Sequence, residues 1–422
     1  MKKILSNIFM TAALLVAGAA VVSCEKENLP VEGTFTMTVD ASMANIGSKN
    51  LTLDGTGLHA TWAVGEKVTV YNNTQGAALE GYLEAQSAGA STTLKGDITG
   101  NIAVGDELKL EFCNGNYSSQ TGTLEYIAAN CDYAVATVTV DAIGSGSTKN
   151  ITTNGHANFV NQQAIVKFTL KNKDDASALS VDKLFVTAGG TTCEVTPSGA
   201  TSELYVAVPA IASGRVTLTA LSGSTYYDYL KTGVTFAQSQ YYTISASLTE
   251  VKSISNAREA SLGRVVAADR MMYASVESAT NAGTTAIAVI TERNSYGSIY
   301  GAIAISEESW GMNWSDAKSA CEGKTPKLDG ANWRFPTVDQ WKSMCAANGG
   351  NEYNYTGLDA LITKAGGSPL RTDWFYWTSS PDEDNSNYKY HVSFGNGSLY
   401  FRNGQDQSNK VYVRAFLYFV GN

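Results

Sequence analysis

From residue 33 to about 248, apolar and polar residues alternate with period two in short runs. Phe35-Thr-Met-Thr-Val39, Lys67-Val-Thr-Val-Tyr71, Glu107-Leu-Lys-Leu-Glu-Phe112 and Val135-Ala-Thr-Val-Thr-Val140 are the clearest. Gly, Asn and Asp punctuate the runs at intervals of roughly ten residues, the pattern of antiparallel strands joined by turns. Two segments echo each other, Val64-Gly-Glu-Lys-Val-Thr-Val70 and Val104-Gly-Asp-Glu-Leu-Lys-Leu110. Each reads as a Gly-acid turn feeding an alternating strand, a hairpin solution used twice. No long amphipathic helix is predicted in this half.

Beyond Glu250 the pattern changes. Strands are predicted at 262–266, 286–290 and 301–305, then helices. Asn313 or Ser315 is placed to cap one that carries Trp314, Ala317 and Cys321 and stops at Gly323. Thr337-Val-Asp-Gln340 reads as a capping box opening a second helix, with Trp341, Met344 and Cys345 buried. Thr356-Gly-Leu-Asp359 reads as another box, with Gly366-Gly367 ending that helix. Strands return at 375–379, 389–394, 398–402 and 411–419. Helices set between early and late strands predict an α+β unit.

The extreme N-terminus follows neither pattern. Lys2 and Lys3 precede an uncharged apolar run that ends in Val21-Val22-Ser23-Cys24, and charges resume at Glu25. The run is too short to span a bilayer comfortably and reads as an export signal over residues 1–23. Its end resembles the lipobox of bacterial lipoproteins. The resemblance implies that Cys24 is lipidated and that the chain is held at an outer membrane.

Composition narrows the function classes. The formal charge is −9, and −11 without Lys2 and Lys3. That leaves no basic footprint for nucleic acid. Five cysteines remain besides Cys24, an odd number that does not suit a full disulfide framework. Cys321 and Cys345, on neighbouring predicted helices, are the candidate bridge. Only His59, His156 and His391 are histidines, and no zincin, nucleophile-elbow or Cys-x-x-Cys motif occurs. Catalysis is therefore not expected, and no cofactor or metal is implied. Six of the seven tryptophans lie beyond residue 300, and the first arginine is Arg215, so the chain changes character between its halves.

Leu53-Asp-Gly, Thr61-Trp62-Ala-Val-Gly65-Glu66, Asp132-Tyr-Ala134, Phe159-Val-Asn-Gln-Gln-Ala-Ile-Val-Lys-Phe168, Tyr205-Val-Ala-Val-Pro209 and Gln240-Tyr-Tyr-Thr-Ile244 fall in an order that resembles the fimbrillin family of lipoprotein pilus subunits. The resemblance implies two transthyretin-like β-sandwich domains, 33–152 and 153–252, with Gly144-Ser-Gly-Ser-Thr148 and Asn154-Gly155 interrupting the strands between them. It also implies partners among other pilus subunits, joined by donor-strand complementation after cleavage near the N-terminus. No arginine precedes Arg215, and Lys26 and Lys49 are the early basic candidates in the mature chain. That disfavours a repeating stalk subunit and leaves a tip, an anchor or a free-standing surface protein.

Trp310-Gly311, Trp314, Trp333-Arg-Phe-Pro-Thr337, Trp341, Tyr376-Trp-Thr-Ser-Ser380, Val392-Ser-Phe394 and Val413-Arg-Ala415 resemble the C-type-lectin-like fold found at the ends of secreted bacterial lipoproteins. The resemblance spans 258–422 and implies a ligand-binding domain. The whole fold class is then mainly β, two sandwiches followed by an α+β lectin-like unit. Trp333, Trp341 and Trp377 are expected in the core, and Arg334 and Arg414 are expected buried and hydrogen-bonded. The intervening segments 381–391 and 400–409 are dense in Tyr, Asn, Ser and Asp, a mixture suited to binding surfaces. Candidate ligand-binding residues are Trp374, Phe375, Asn385, Asn387, Tyr388, Tyr390, His391, Tyr400, Arg402 and Asn403. Asp382, Glu383, Asp384 and Asn385 offer hard oxygens. The Glu-Pro-Asn and Trp-Asn-Asp motifs of calcium-dependent lectins are absent, so calcium is not carried over. The expected function is a surface adhesin binding a glycan or protein. A structural pilus subunit, a retroelement-diversified binder and a nutrient-capture lipoprotein are the alternatives.

Overall fold

The computed structural model describes residues 30–43, 52–54, 57–59, 61–113, 115–146, 149–255, 261–293, 299–308, 311–349, 351–382, 387–406 and 408–419. Cys24, Lys26, Lys49, Trp310 and Asn385 lie outside them, as do the side chains of Glu383, Asp384 and Asn403. The chain is mainly β.

The alternating runs of the first unit form a single sheet. Its strand order is Lys149–Asn154, Val31–Met43, Ala157–Asn161, Ala134–Ile143, Glu107–Phe112, Lys67–Asn72, Leu83–Ala85, Ser91–Ile102, Glu80–Gly81. Val31–Met43 also pairs with Ser91–Ile102, from Val31↔Ile102 to Ser42↔Ser91, so the sheet closes on itself like a barrel. On its other edge the same strand lies parallel to Lys149–Asn154 and then to Ala157–Asn161. Period two sends Phe35, Met37, Val39, Ala41 and Met43 inward. Each large side chain so buried stabilises the fold by about 1.5–3 kcal/mol. Trp62 fills the centre, edge-on to Phe112 at 5.5 Å and Phe159 at 5.2 Å.

The second unit is an eight-stranded sheet, and one edge of it comes from the first unit's own sequence. Between Glu107–Phe112 and Ala134–Ile143 the chain makes an excursion. Ser119–Gln120 lies parallel to Thr191–Val195. Helix α1 (Leu124–Asn130), capped by the Thr123 side chain, follows it. The Gln120 side chain acts as an extra peptide group: its amide donates to Ala207 O at 2.8 Å and accepts from Ala207 N at 2.9 Å. Ile127 and Cys131 pack on Ile165 and Ala207.

The C-terminal unit has a seven-stranded sheet in the order Lys252–Ser253, Met271–Tyr273, Val265–Ala267, Ala286–Arg293, Ile299–Ala304, Phe416–Phe419, Ala331–Arg334. Phe416–Phe419 is hydrogen-bonded on both edges. Helix α2 (Val276–Asn281) is capped by Ser275. One face of the sheet packs α3 (Trp314–Gly323) through Ala317 and Cys321, with Trp333 and Trp377. The other packs α4 (Val338–Gly349) and α5 (Thr356–Ala365) through Trp341, Met344, Cys345, Leu358 and Ile362. Gly301 has no alternative here, because an added Cβ would stand 1.8 Å from the Phe416 ring.

The two-faced core corrects the disulfide expectation. Cys321 and Cys345 carry free thiols on opposite sides of the sheet, each buried in a different apolar cluster. Burial pushes the Cys345 thiol up to about 12, far from the thiolate that exchange requires.

Polar contacts join the second unit to the third. Arg264 grips both oxygens of the buried Asp228 carboxylate at 2.9 and 3.0 Å, and Ala274 N donates to it at 2.6 Å. Arg215 pairs with Glu277 and donates to the carbonyls of Thr363 and Lys364 at the C-terminus of α5, where the helix dipole favours a cation.

Candidate functional site

A three-stranded antiparallel sheet, Phe375–Pro381, Tyr388–Gly395 and Ser398–Asp406, lies over α4 and α5. Four tryptophan and arginine positions hold its surroundings. Trp314 donates to Thr378 O at 2.8 Å, Trp377 to Met312 O at 3.0 Å and Trp333 to Pro326 O at 3.0 Å, so each indole nitrogen is satisfied as it is buried. Arg414, fully buried, spends its fork on three carbonyls: Ala304 at 2.8 Å, Ser368 at 2.8 Å and Ile305 at 2.9 Å. Arg334 departs from expectation. It sits on the edge strand, alternates outward beside the inward Trp333, and lays its guanidinium 4.1 Å from the exposed side of the Tyr418 ring.

Strand register decides which candidate residues meet. Phe375, Ser393 and Tyr400 are cross-strand neighbours, and Trp377, His391 and Arg402 form the next row on the same face. Trp374 adjoins Phe375, ring centroids 5.8 Å apart, and Phe375 meets His391 edge-on at 4.7 Å. Trp374 and Tyr400 are 47% and 48% exposed, and Arg402 is exposed beside them. His391 lies beneath, 5% exposed. Burial, and then the Arg402 charge, lower its pKa to about 4, so it is a neutral imidazole at pH 7. Its Nδ1 has no partner among the described residues. The result is a shallow aromatic floor with one guanidinium and one buried imidazole.

The other candidates separate. Tyr390 points to the opposite face and packs on the core with Val392 and Phe394. Tyr388 and Asn387 are exposed beyond a register shift at residues 389–391. Asn403 belongs to the third strand. Asp382 is buried.

A second exposed aromatic group lies on that opposite face, and the sequence reading did not single it out. Tyr353 and Phe401 stack at 6.3 Å with planes 19° apart, and Lys342 Nζ stands 4.2 Å from the Phe401 ring. Leu399 N bonds Tyr353 O at 2.6 Å, pinning the segment to the sheet. The signal was present, since Asn351-Glu-Tyr-Asn-Tyr355 has the same composition as the segments that were chosen.

Residues 280–416 match the family model of the Lcl C-terminal domain. That span contains both exposed aromatic groups. Among solved structures, the chain is similar to a fimbrial protein from Bacteroides ovatus, at 10% identity and TM-score 0.29 over 92% of this chain and 100% of that one. It is similar to a fimbrial assembly protein from Parabacteroides distasonis at 11% identity and TM-score 0.28, over 52% and 95%. It is also similar to GBS52, the minor pilin of Streptococcus agalactiae, at 11% identity and TM-score 0.23, over 52% and 97%. No curated protein matches this chain.

Proposed function

We propose that this protein is a cell-surface adhesin, lipid-anchored at an outer membrane through Cys24, that binds a glycan or protein through its C-terminal unit. The observation that carries this reading is the face formed by Trp374, Phe375, Tyr400 and Arg402 over His391. It exposes two large rings that the core has no use for, Trp374 just ahead of a strand and Tyr400 on one, in a sheet packed against the core. Rigid aromatic contact area of this kind carries a large share of binding energy at low entropic cost. The sequence resemblance to C-type-lectin-like domains supports it, as does the order of the chain, with the lipid at one end and this face in the last unit.

The test is binding of the full chain, without its lipid, to glycan arrays and to a host-protein array. Trp374→Ala and Tyr400→Ala are expected to reduce binding at least tenfold while leaving the circular dichroism unchanged. Binding by the double variant at wild-type strength would remove this face from the function. Cys24→Ala is expected to release the protein from the membrane fraction.

Assembly into a pilus is the second reading, favoured by one strand. Val31–Met43 is held between Ser91–Ile102 on one edge and Lys149–Asn154 and Ala157–Asn161 on the other, so its departure would leave a groove with two open edges for a neighbour's strand. With no arginine before Arg215 for the usual cut, a tip or anchor position suits this chain better than the repeating shaft. Isolated pili containing this protein at one copy per fibre would support it; a copy number matching the shaft would not.

A further inference from the structure

Asp132 and Asn161 stand where the chain passes between the first two units. Asp132 lies between α1, which packs on the second unit, and Ala134–Ile143 of the first sheet. Asn161 ends the last strand of the first sheet, and Gln163 begins the second unit's Gln163–Asn172. All three side chains are at least 99% buried. Asp132 Oδ1 accepts from Asn161 Nδ2 at 2.8 Å and from Gln163 Nε2 at 3.2 Å, and Gln163 Oε1 accepts from Tyr133 N at 3.2 Å.

Two atoms of this group are left over. Asp132 Oδ2 and Asn161 Oδ1 are both buried, both acceptors, and both without a donor among the described residues. Buried acceptors without donors are rare and costly. They belong to the same two side chains, already joined at Oδ1 and Nδ2. A carboxylic acid and a primary amide joined at one such bond satisfy the other pair of oxygens with a single proton, giving a ring of two hydrogen bonds. One proton on Oδ2 therefore removes both deficits together.

We propose that Asp132 is a carboxylic acid in the folded protein, its Oδ2–H donating to Asn161 Oδ1, and that this ring is a clasp between the first two units that opens when the proton is lost. The charged and titratable groups around it agree. Glu66, from the turn before Lys67–Asn72, opposes a second negative charge, and Tyr117 and Cys131 are neutral neighbours. Burial, with Glu66 adding to it, raises the carboxyl to about 7, against the lowering effect of the Gln163 and Asn161 amides. The clasp is therefore closed in mild acid and released as pH rises through neutrality. Asp132→Asn is a built-in mimic of the closed state, because a second amide supplies the same donor and acceptor at every pH.

The test uses the full chain with 13C-labelled aspartate carboxyls and amide hydrogen exchange. The Asp132 carboxyl is expected to titrate near pH 7. Tyr133 amide exchange, corrected for its intrinsic pH dependence, is expected to rise about tenfold from pH 6 to pH 8 in the wild type and to stay at the slow level in Asp132→Asn. Glu66→Gln is expected to move the midpoint to lower pH. A carboxyl already ionised at pH 5, or a Tyr133 profile that is identical in wild type and Asp132→Asn, overturns the proposal. The carboxyl titration decides the matter even if a variant fails to fold.

Discussion

Arg414 offers the sharpest test of how the C-terminal unit is held. Its guanidinium is fully buried and bonds three main-chain carbonyls at 2.8–2.9 Å. Burial lowers its pKa, a sign that the charge is held by dipoles at a desolvation cost. Replacement by alanine takes the donor from the carbonyls of Ala304 and Ser368, while Ile305 O keeps the Ser368 amide at 2.9 Å. Each orphaned buried acceptor costs about 1–3 kcal/mol, and relief of the desolvation cost offsets part of the sum. A net loss of about 2–4 kcal/mol is expected, which corresponds to roughly 5–15 °C in Tm for a unit of this size. Arg414→Lys, which cannot span three carbonyls with a planar fork, should lose about half as much. Tryptophan fluorescence during urea unfolding is the appropriate assay, because six of the seven tryptophans lie beyond residue 300 and report on this unit. A loss below about 1 kcal/mol for Arg414→Ala would refute the accounting in terms of orphaned carbonyls.

Other variants probe other contacts. Arg264→Ala strands the buried Asp228 carboxylate and should cost about 3–5 kcal/mol, with new protease cleavage between the second and third units as the visible sign. His391 has a folded pKa lowered to about 4, below its ordinary 6.5, so the unfolded chain binds the extra proton in that window. Stability is accordingly retained above pH 6.5 and lost as pH falls toward 4, by up to about 3 kcal/mol at 1.36 kcal/mol per unit. His391→Gln should flatten that part of the Tm-versus-pH curve. Oxidation of the folded chain should yield no Cys321–Cys345 peptide on mass spectrometry, since a sheet separates the two thiols.

Local rules were legible where local chemistry decides. Asn313 caps α3 through the Asp316 amide. Thr337 and Gln340 exchange the two bonds of a capping box at 3.0 and 2.9 Å. Gly366 ends α5 in a left-handed conformation. The same rule failed at Thr356-Gly-Leu-Asp359. There Asn354 takes both the Thr356 hydroxyl and the Thr356 amide, Asp359 reaches Leu370 N eleven residues on, and Tyr355 at the N-cap makes no side-chain bond. Tertiary partners outbid the local motif. Helices α1 and α2, seven and six residues long, carry too few turns to show a period, although Thr123 and Ser275 stood ready as caps. At the candidate site the Tyr- and Asn-rich composition marks two strands of the small sheet, but which face each residue takes is not set by composition. Plain alternation puts Tyr390 in the core with Val392 and Phe394 and His391 under the open face, whereas the register shift adds its extra residue on the partner strand between Arg402 and Gln405, and no pattern in the sequence announces it.

The side chain of Gln120 has a consequence for the order of events as the polypeptide is made. Its partner, Ala207, is 87 residues downstream. A ribosome or translocon that delivers the chain N-terminus first therefore releases the strands of the opening unit before the excursion between them has its full resting surface. Until the strand Glu203–Pro209 arrives, Gln120 lacks its Ala207 partner, and Ile127 and Cys131 have Ile165 without Ala207 to cover. A truncated product ending near residue 160 would carry that apolar flap exposed, and one beginning there would present the Ala207 edge unpaired. The first two units are expected to mature as one cooperative piece, late and together, and a scissor cut at the apparent border would leave two sticky halves.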